Sequence, residues 1–393
     1  MSDYGFGCVL EGRRYRNRGL MLALAATVSA VVSAGALATG PPCVSGQPIP
    51  SCARALVNGL LRGDQCQSDL PEQPPRPLAQ ASRANWLQRL LEEVPCPSSG
   101  RVAYDASDDH GDSMSVLDPI PSPRGGYLGV YHSAFRLRGD PFMNFRISIG
   151  QSSDLIHWTR AKVLDPSGAS MPTIRAIAGS PGYLLAYEKS LRRGNVVRLR
   201  YYPSVGALLA GRYSAQRDLP RSFSRYNDGT PTILWAQWNG SLWRSVIELG
   251  FHYETDPKGW RGPDREAIGT LRRFRAWTAR TDRSTDTKLD HRGFTGSHGD
   301  MRQFRSKGSR WRVYEAQTSY NDFGAWRVVL ENPASRRMYS LALRMGSQTV
   351  ARSFANPVAR VERGPGGEGQ VLVVTMYLFS GLAQGELVYY QPI

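Results

Sequence analysis

The chain has 393 residues, 41% of them hydrophobic, with 26 Pro and 40 Gly; that length suits one large all-β domain with an extension, and so many turn formers exclude an architecture of long helices. The formal charge of +16 rests on arginine, because only five of the 49 basic residues are lysine. These residues are scattered and no nucleic-acid motif accompanies them, which argues against nucleic-acid binding and leaves an acidic wall or a headgroup layer as suitable surroundings.

The first element in chain order is a targeting signal. "GRRYRNR" supplies four positive charges, and the uncharged run Gly19 to Ala38 follows, closing on Ala36-Leu37-Ala38. A basic flank, an apolar stretch and an A-x-A site predict export to the cell envelope or beyond. At twenty residues the run is also long enough to span a bilayer, so residues 1–38 read as a cleaved signal peptide or as a membrane anchor.

Residues 39–100 form a separate extension. "SCARALVNGLLRG" and "ASRANWLQRLLEEV" carry apolar residues at helical spacing, with Ser51 and Ser82 as N-caps and a Pro-rich connector between them. Cys43, Cys52, Cys66 and Cys96 all fall in this segment and none lies after it. An even set in an exported protein predicts two disulfides, of open connectivity. With no C-x-x-C and no His among them, they are a poor metal set.

From residue 101 to 393 the pattern is all-β. "YLGVYHSAF", "FRISIGQ", "GYLLAYEKS", "RWRVYEAQTS" and "GQVLVVTMYLF" are among ten short apolar or alternating runs separated by Gly, Pro, Asn, Asp and Ser. Units recur near residues 112, 171, 229, 299 and 353, two of them opened by "HGD" at 110–112 and 298–300. Five self-contained meanders predict a five-bladed β-propeller. The nine Trp and 18 Tyr suit either strands or sugar-stacking platforms.

"SSDLIHW", residues 152–158, follows a strand-like run. Ser and Asp supply turn chemistry by bonding nearby backbone amides, and Trp158 then opens the outer strand of the first blade. This "S-x-D-L-x-x-W" resembles the closure of blade one in five-bladed propeller glycoside hydrolases: arabinanases, β-xylosidases and fructan-cutting enzymes. "DGTPTI" at 228–233 is similar to the "EGP" context of the general acid in arabinanase-like families, with Asp228 one methylene shorter than the expected Glu. Met171-Pro172-Thr173 stands where those families carry "APD". "LGFHYETDPKGWRGPDREAIGTLRRFRAW", "GDMRQF", "FANPVARV" and "GELVYY" resemble secreted propellers that include endo-D-arabinanases of mycobacterial arabinan. The resemblance implies a monomeric hydrolase of a furanose polysaccharide, without an obligatory cofactor; a channel calcium is compatible but no Asp-rich loop requires it.

Glycoside hydrolysis needs one carboxyl to protonate the leaving oxygen and another to act on water or as nucleophile. Asp228 is the expected acid and Asp109 or Asp112 the expected base. Asp118 in "LDPI" is the rival, set aside because Pro119, Pro121 and Pro123 make 118–126 read as a turn. Arg175, Glu188, His252, His298, Asp300, Arg302 and Glu315 are expected to line the funnel and bind substrate. A catalytically silent, wall-tethering propeller is the alternative. No G-x-S-x-G, H-E-x-x-H or phosphate-cradling loop occurs.

Overall fold

In the computed structural model the alternating runs become antiparallel strands that radiate about one axis. The structure describes residues 83–96, 100–136, 143–256, 262–332, 334–335, 337–346, 348–367, 369–379 and 385–393. The chain enters through helix α1 (Arg83–Glu92) and the short strand β1 (Val102–Tyr104). Blade one is β2 (Ser115–Pro121), β3 (Tyr127–Arg136), β4 (Met143–Ser152) and β5 (Thr159–Asp165). Blade two is β6 (Ala169–Ala176), β7 (Tyr183–Leu191), β8 (Gly194–Tyr202) and, after helix α2 (Val205–Leu209), β9 (Ala215–Asp218). Blade three is β10 (Asp228–Gln237), β11 (Val246–Glu254), β12 (Asp264–Arg272) and β13 (Ala276–Thr281). Helix α3 (Arg283–Asp290) leads to blade four, β14 (His298–Ser306), β15 (Ser309–Gln317), β16 (Trp326–Asn332) and β17 (Arg337–Ser340). A small hairpin, β18 (Leu343–Met345) with β19 (Gln348–Ala351), precedes β20 (Phe354–Arg363), β21 (Gln370–Leu378) and β22 (Gly385–Pro392) of blade five. The expected five-bladed propeller is therefore the observed fold, and its inner strands begin within three residues of the expected unit starts.

Ring closure uses the other end of the chain. Strand β1 pairs with β22 as the outermost strand of blade five, with Ala103 opposite Val388. Helix α1 places Leu87 and Leu91 in one apolar cluster with Trp311, Leu343, Phe354 and Leu387, so it fills the groove between blades four and five. Tyr389 donates its hydroxyl to the Leu91 carbonyl. Cys96 is disulfide-bonded; Cys43, Cys52, Cys66, the leader, the first predicted helix and the Ser82 cap lie outside the described residues.

The "SSDLIHW" turn joins the third and outer strands of blade one. Ser152 Oγ accepts from the Asp154 and Leu155 amides, and Asp154 Oδ1 accepts from Ile156 and His157. Trp158 is held by its Nε1 donating to the Leu155 carbonyl at 3.0 Å. A side chain at Gly129 would occupy the space of its ring, so glycine there is what lets the indole seal the blade.

One expectation is corrected. Of the expected turn 118–126 only 122–126 is one; residues 118–121 belong to Ser115–Pro121, the innermost strand of blade one. An innermost strand pairs on one side only, so the edge facing the axis needs no amide, and Pro119 and Pro121 remove nothing. Asp118 therefore projects from an inner strand.

Each inner strand carries a one-residue bulge at the same height. Pairing shifts between Ser115 and Asp118, Ser170 and Thr173, Gly229 and Thr232, Gly299 and Met301, and Ala355 and Val358. Four of the five bulges contain a left-handed residue that is not glycine: Val116, Met171, Thr230 and Asn356, with φ between 43° and 56°. Such backbone costs of order 1–3 kcal/mol per residue and persists only where its surroundings hold it.

Candidate active site at the channel mouth

The bulges ring the end of the channel where the inner strands begin, and second-strand side chains hold them from the preceding blade. His132 Nδ1 accepts from the Met171 amide at 3.1 Å, Glu188 Oε2 from Thr230 at 3.2 Å, and Glu315 Oε2 from Asn356 at 2.7 Å. In blade five it is Glu386, on the third strand β22, that lies against Ser115 and Val116, without a hydrogen bond of good geometry. His252 occupies the corresponding second-strand position in blade three. Its Nε2 lies 3.2 Å from Thr230 Oγ1, and its Nδ1 has no hydrogen-bond partner.

Glycine makes room for this ring at two bulges. A Cβ at Gly229 would fall on Glu188 Oε2, and one at Gly299 would lie 2.7 Å from Glu315 Oε1 and 3.1 Å from His252 Nδ1. The glycines of "DGT" and "HGD" are thus the hollows that admit the neighbouring acids.

Burial then sets the electrostatics. Glu188 is pushed up to about 7, chiefly by desolvation and further by Asp264, against the pull of the Thr230 amide. Burial raises Asp300 in spite of Arg302, and raises Glu315, with the Asp300 charge adding to it. Arg302 Nη1 lies 2.9 Å from Asp300 Oδ1, yet the contact is not aligned as a hydrogen bond, and neither Asp300 oxygen has a hydrogen-bond partner. Glu266, fully buried, is raised well above the usual range, chiefly by desolvation and then by Asp286, Asp282, Asp300 and Glu315. Blades two to four therefore enclose a set of buried carboxyls of which, among the described residues, only Asp300 has a cation beside it. His132 is lowered to about 3 and His252 is also lowered, both by burial, so both rings are neutral.

The channel below is braced by three arginines. Arg360 grips Asp118 with Nε at 2.6 Å and Nη2 at 2.8 Å, and Asp118 Oδ2 also accepts from Thr173 Oγ1 and the Ile174 amide. Burial alone would raise Asp118, but the Arg360 charge and hydrogen bonds hold it below the ordinary aspartate value. Arg302 crosses to the Pro231 and Pro172 carbonyls, and Arg175 donates to the Ile233 carbonyl at 3.1 Å. Arg175 and Arg302 thus bind backbone within the channel.

The structure brings Glu188, His252, Asp300 and Glu315 together at the mouth, with Asp228 at the adjoining strand start and Arg302 and Arg175 in the channel below. Asp228 is pushed up to about 6 by burial, although its oxygens accept from the Ser222 and Ser224 amides at 2.6 and 3.3 Å. Both oxygens thus fasten the loop before β10.

Three expected residues are placed elsewhere. Asp109 and Asp112 sit on a loop that runs out to the outer strands of blade one. The Arg160 amide donates to Asp109, and Asp112 is ion-paired with Arg146 and Arg160. Neither faces Asp228 across the funnel, because the chain between β1 and β2 folds outward before turning in. His298 is fully buried, with Nδ1 2.8 Å from Asp286 and Nε2 2.7 Å from the Phe294 carbonyl, so its ring braces α3 and does not meet the mouth.

Among the described residues, Asp108, Asp109 and His110 place potential ligand atoms within 4.8 Å of one another. Asp108 already accepts from the His110 and Asp112 amides and from Tyr131, which leaves little for a metal. Sequence reasoning missed Glu266, whose i, i+2 relation to Asp264 on β12 was the available signal, and Arg360, which had none.

No family model matches this chain, and no curated protein matches it. Solved structures similar to it include a thermostable family-43 glycoside hydrolase, at 10% identity and TM-score 0.46, covering 73% of this chain and 92% of that one. An endo-arabinase from Bacteroides thetaiotaomicron is similar at 9% identity and TM-score 0.46, over 74% of this chain and 98% of that one. The catalytic domain of a Coprinopsis cinerea GH62 alpha-L-arabinofuranosidase is similar at 10% identity and TM-score 0.43, over 72% and 93%.

Proposed function

We propose that this five-bladed propeller is a glycoside hydrolase of a furanose-containing polysaccharide, with arabinan or arabinogalactan of a cell wall as substrate. The observation that supports the reading is the Asp300–Glu315 pair. Burial raises both carboxyls at the mouth, the Asp300 charge raises Glu315 further, and Asp300 lacks any hydrogen-bond partner. Buried acids of raised pKa are costly, and such sites are where acid–base chemistry is found.

Arg302 beside Asp300 directs the negative charge to Asp300 and leaves the proton on Glu315. The pair then offers a proton acceptor and a proton donor at the same pH, the combination that glycosidic cleavage needs. Glu188, uncharged below about 7, is the further donor on the blade-two side. The leader and the cysteines of the extension fit an exported protein acting at the envelope. A silent wall-binding propeller is the second reading; the capture of both Asp228 oxygens by backbone amides favours it.

Purified protein incubated with arabinogalactan and, separately, with plant arabinan tests the proposal by sizing the products. Shortened arabinan chains are expected. Retention of the polymer without any shortening selects the silent reading.

A further inference from the structure

The end of the propeller opposite the mouth differs from it in charge. Its described turn residues are 122–126, 153–158, 177–182, 203–214, 238–245, 273–275, 307–308, 334–335, 364–367 and 369, and the single carboxylate among them is Asp154. Asp154 bonds within its own turn, to the amides of Ile156 and His157 and to the His157 ring. Exposed arginines stand on the same end. The turns of blade three contribute Arg244, Arg273 and Arg275, and the strand ends of the next blade add Arg305 and Arg310; the acids on comparable strand ends, Glu248 and Glu362, are only partly exposed.

Among these arginines Trp243 is 61% exposed, the most exposed large apolar side chain among the described residues. It is fixed edge-on against Phe274, with ring centroids 6.1 Å apart and planes at 86°. An indole held against Phe274 on a turn tip, with exposed Arg244 beside it in sequence and exposed Arg273 and Arg275 flanking Phe274, matches an interface that is apolar just below a layer of anions. A sugar platform would instead present a concave row of rings.

The route of the chain points the same way. Lys307, in the β14–β15 turn of this end, lies 3.8 Å from the centroid of the Trp86 ring on the first turns of α1. The chain therefore reaches the propeller at this end, and the apolar run Gly19 to Ala38 precedes it in sequence. We propose that this end docks on an anionic phospholipid bilayer. Trp243 enters the interfacial layer, the arginines pair with headgroup phosphates, and the mouth faces away from the membrane. Clustered arginines are drawn to an anionic leaflet over about a Debye length.

Full-length protein reconstituted in phosphatidylcholine vesicles, with and without phosphatidylglycerol and with acyl chains brominated near the headgroup, provides the test. The quenching lost on Trp243→Phe reports contact of that indole. We expect this difference only with phosphatidylglycerol, and expect it to vanish at high salt and in a triple Arg244→Glu, Arg273→Glu, Arg275→Glu variant. Unchanged melting and unchanged hydrolysis of soluble arabinogalactan would show that the variants are folded. No difference between wild type and Trp243→Phe in anionic vesicles overturns the proposal, as does a difference that survives charge reversal. Iodide quenching of Trp243 that an acidic polysaccharide relieves and anionic vesicles do not would assign the face to a polymer, and also overturns it.

Discussion

Glu188, on the second strand of blade two, accepts the amide of Thr230, the left-handed residue that opens the bulge of blade three. Glu315 does the same for Asn356 two blades further on, and His132 for Met171 one blade earlier. The contacts hold strained backbone from the neighbouring blade, and they oblige each acid to sit at the channel mouth, shielded from water. Ring cohesion and the raised acidities thus share one cause, the placement of second-strand side chains across the blade boundary.

This arrangement makes stability depend on pH in a defined direction. Glu188 and Glu386 titrate near 7 and near 8 in the fold, against 4.5 for an ordinary Glu. Between these limits the folded chain holds protons that the unfolded chain has released. Stability from this source is full below about 4.5 and declines as pH rises through 7 and 8. Melting temperature should therefore fall from pH 5 to pH 8.5. Glu188→Gln keeps an acceptor for Thr230 and removes the titration, so its melting curve should be flatter over that window; an unchanged slope would exclude Glu188 as a source.

Gly229→Ala places a methyl group against the Glu188 carboxyl. Either the acid or the bulge must move, and overpacking of this kind costs about 1–3 kcal/mol. Gly206→Ala serves as the contrast, because its new methyl finds nothing nearer than 3.7 Å and lies in a helical turn. Denaturant melts should show the first substitution destabilised and the second neutral or slightly stabilised.

The blade count and the phasing were legible because turn residues and Gly-x-x-x-x-Tyr patterns report each meander locally. Glu188, Asp300 and Glu315 were legible too, since "HGD" and the Tyr-Glu ends recur at blade spacing. Asp109 and Asp112 were misplaced because sequence does not show that their loop turns outward to Arg146 and Arg160. Asp118 was set aside on a rule that holds for central strands and does not bind a strand facing an open channel. Its partner Arg360 is 242 residues away, beyond any local signal.

The Asp118–Arg360 pair joins the first blade to the last, so cutting it should loosen the ring. Asp118→Ala leaves a buried guanidinium without its anion, and the expected loss is about 3–5 kcal/mol in urea unfolding. Asp118→Leu with Arg360→Leu removes both charges and should recover part of it. A double variant as unstable as Asp118→Ala would show that packing, and not the uncompensated charge, is what the pair supplies.

Asp300 and Asp228 can be told apart by the same substitution at each. At Asp300 neither oxygen is hydrogen-bonded, but Oδ1 lies 2.9 Å from buried Arg302 Nη1, so Asp300→Asn removes that guanidinium's nearest counter-charge while relieving repulsion with Glu315 and Asp118. With Asp118 still close to Arg302 these two effects oppose each other, so its melting temperature should stay near that of wild type, while hydrolysis of arabinogalactan falls by roughly a hundredfold or more, as when an acid–base group is lost. At Asp228 both oxygens accept backbone amides, and the NH₂ of an Asn must face one of them. Asp228→Asn should therefore lose about 1–3 kcal/mol of stability, with a smaller change in kcat measured well below its melting temperature. If instead Asp228→Asn melts normally and is inactive while Asp300→Asn remains active, the transferable proton belongs to Asp228. The Asp300–Glu315 pair would then be part of the inter-blade ring alone.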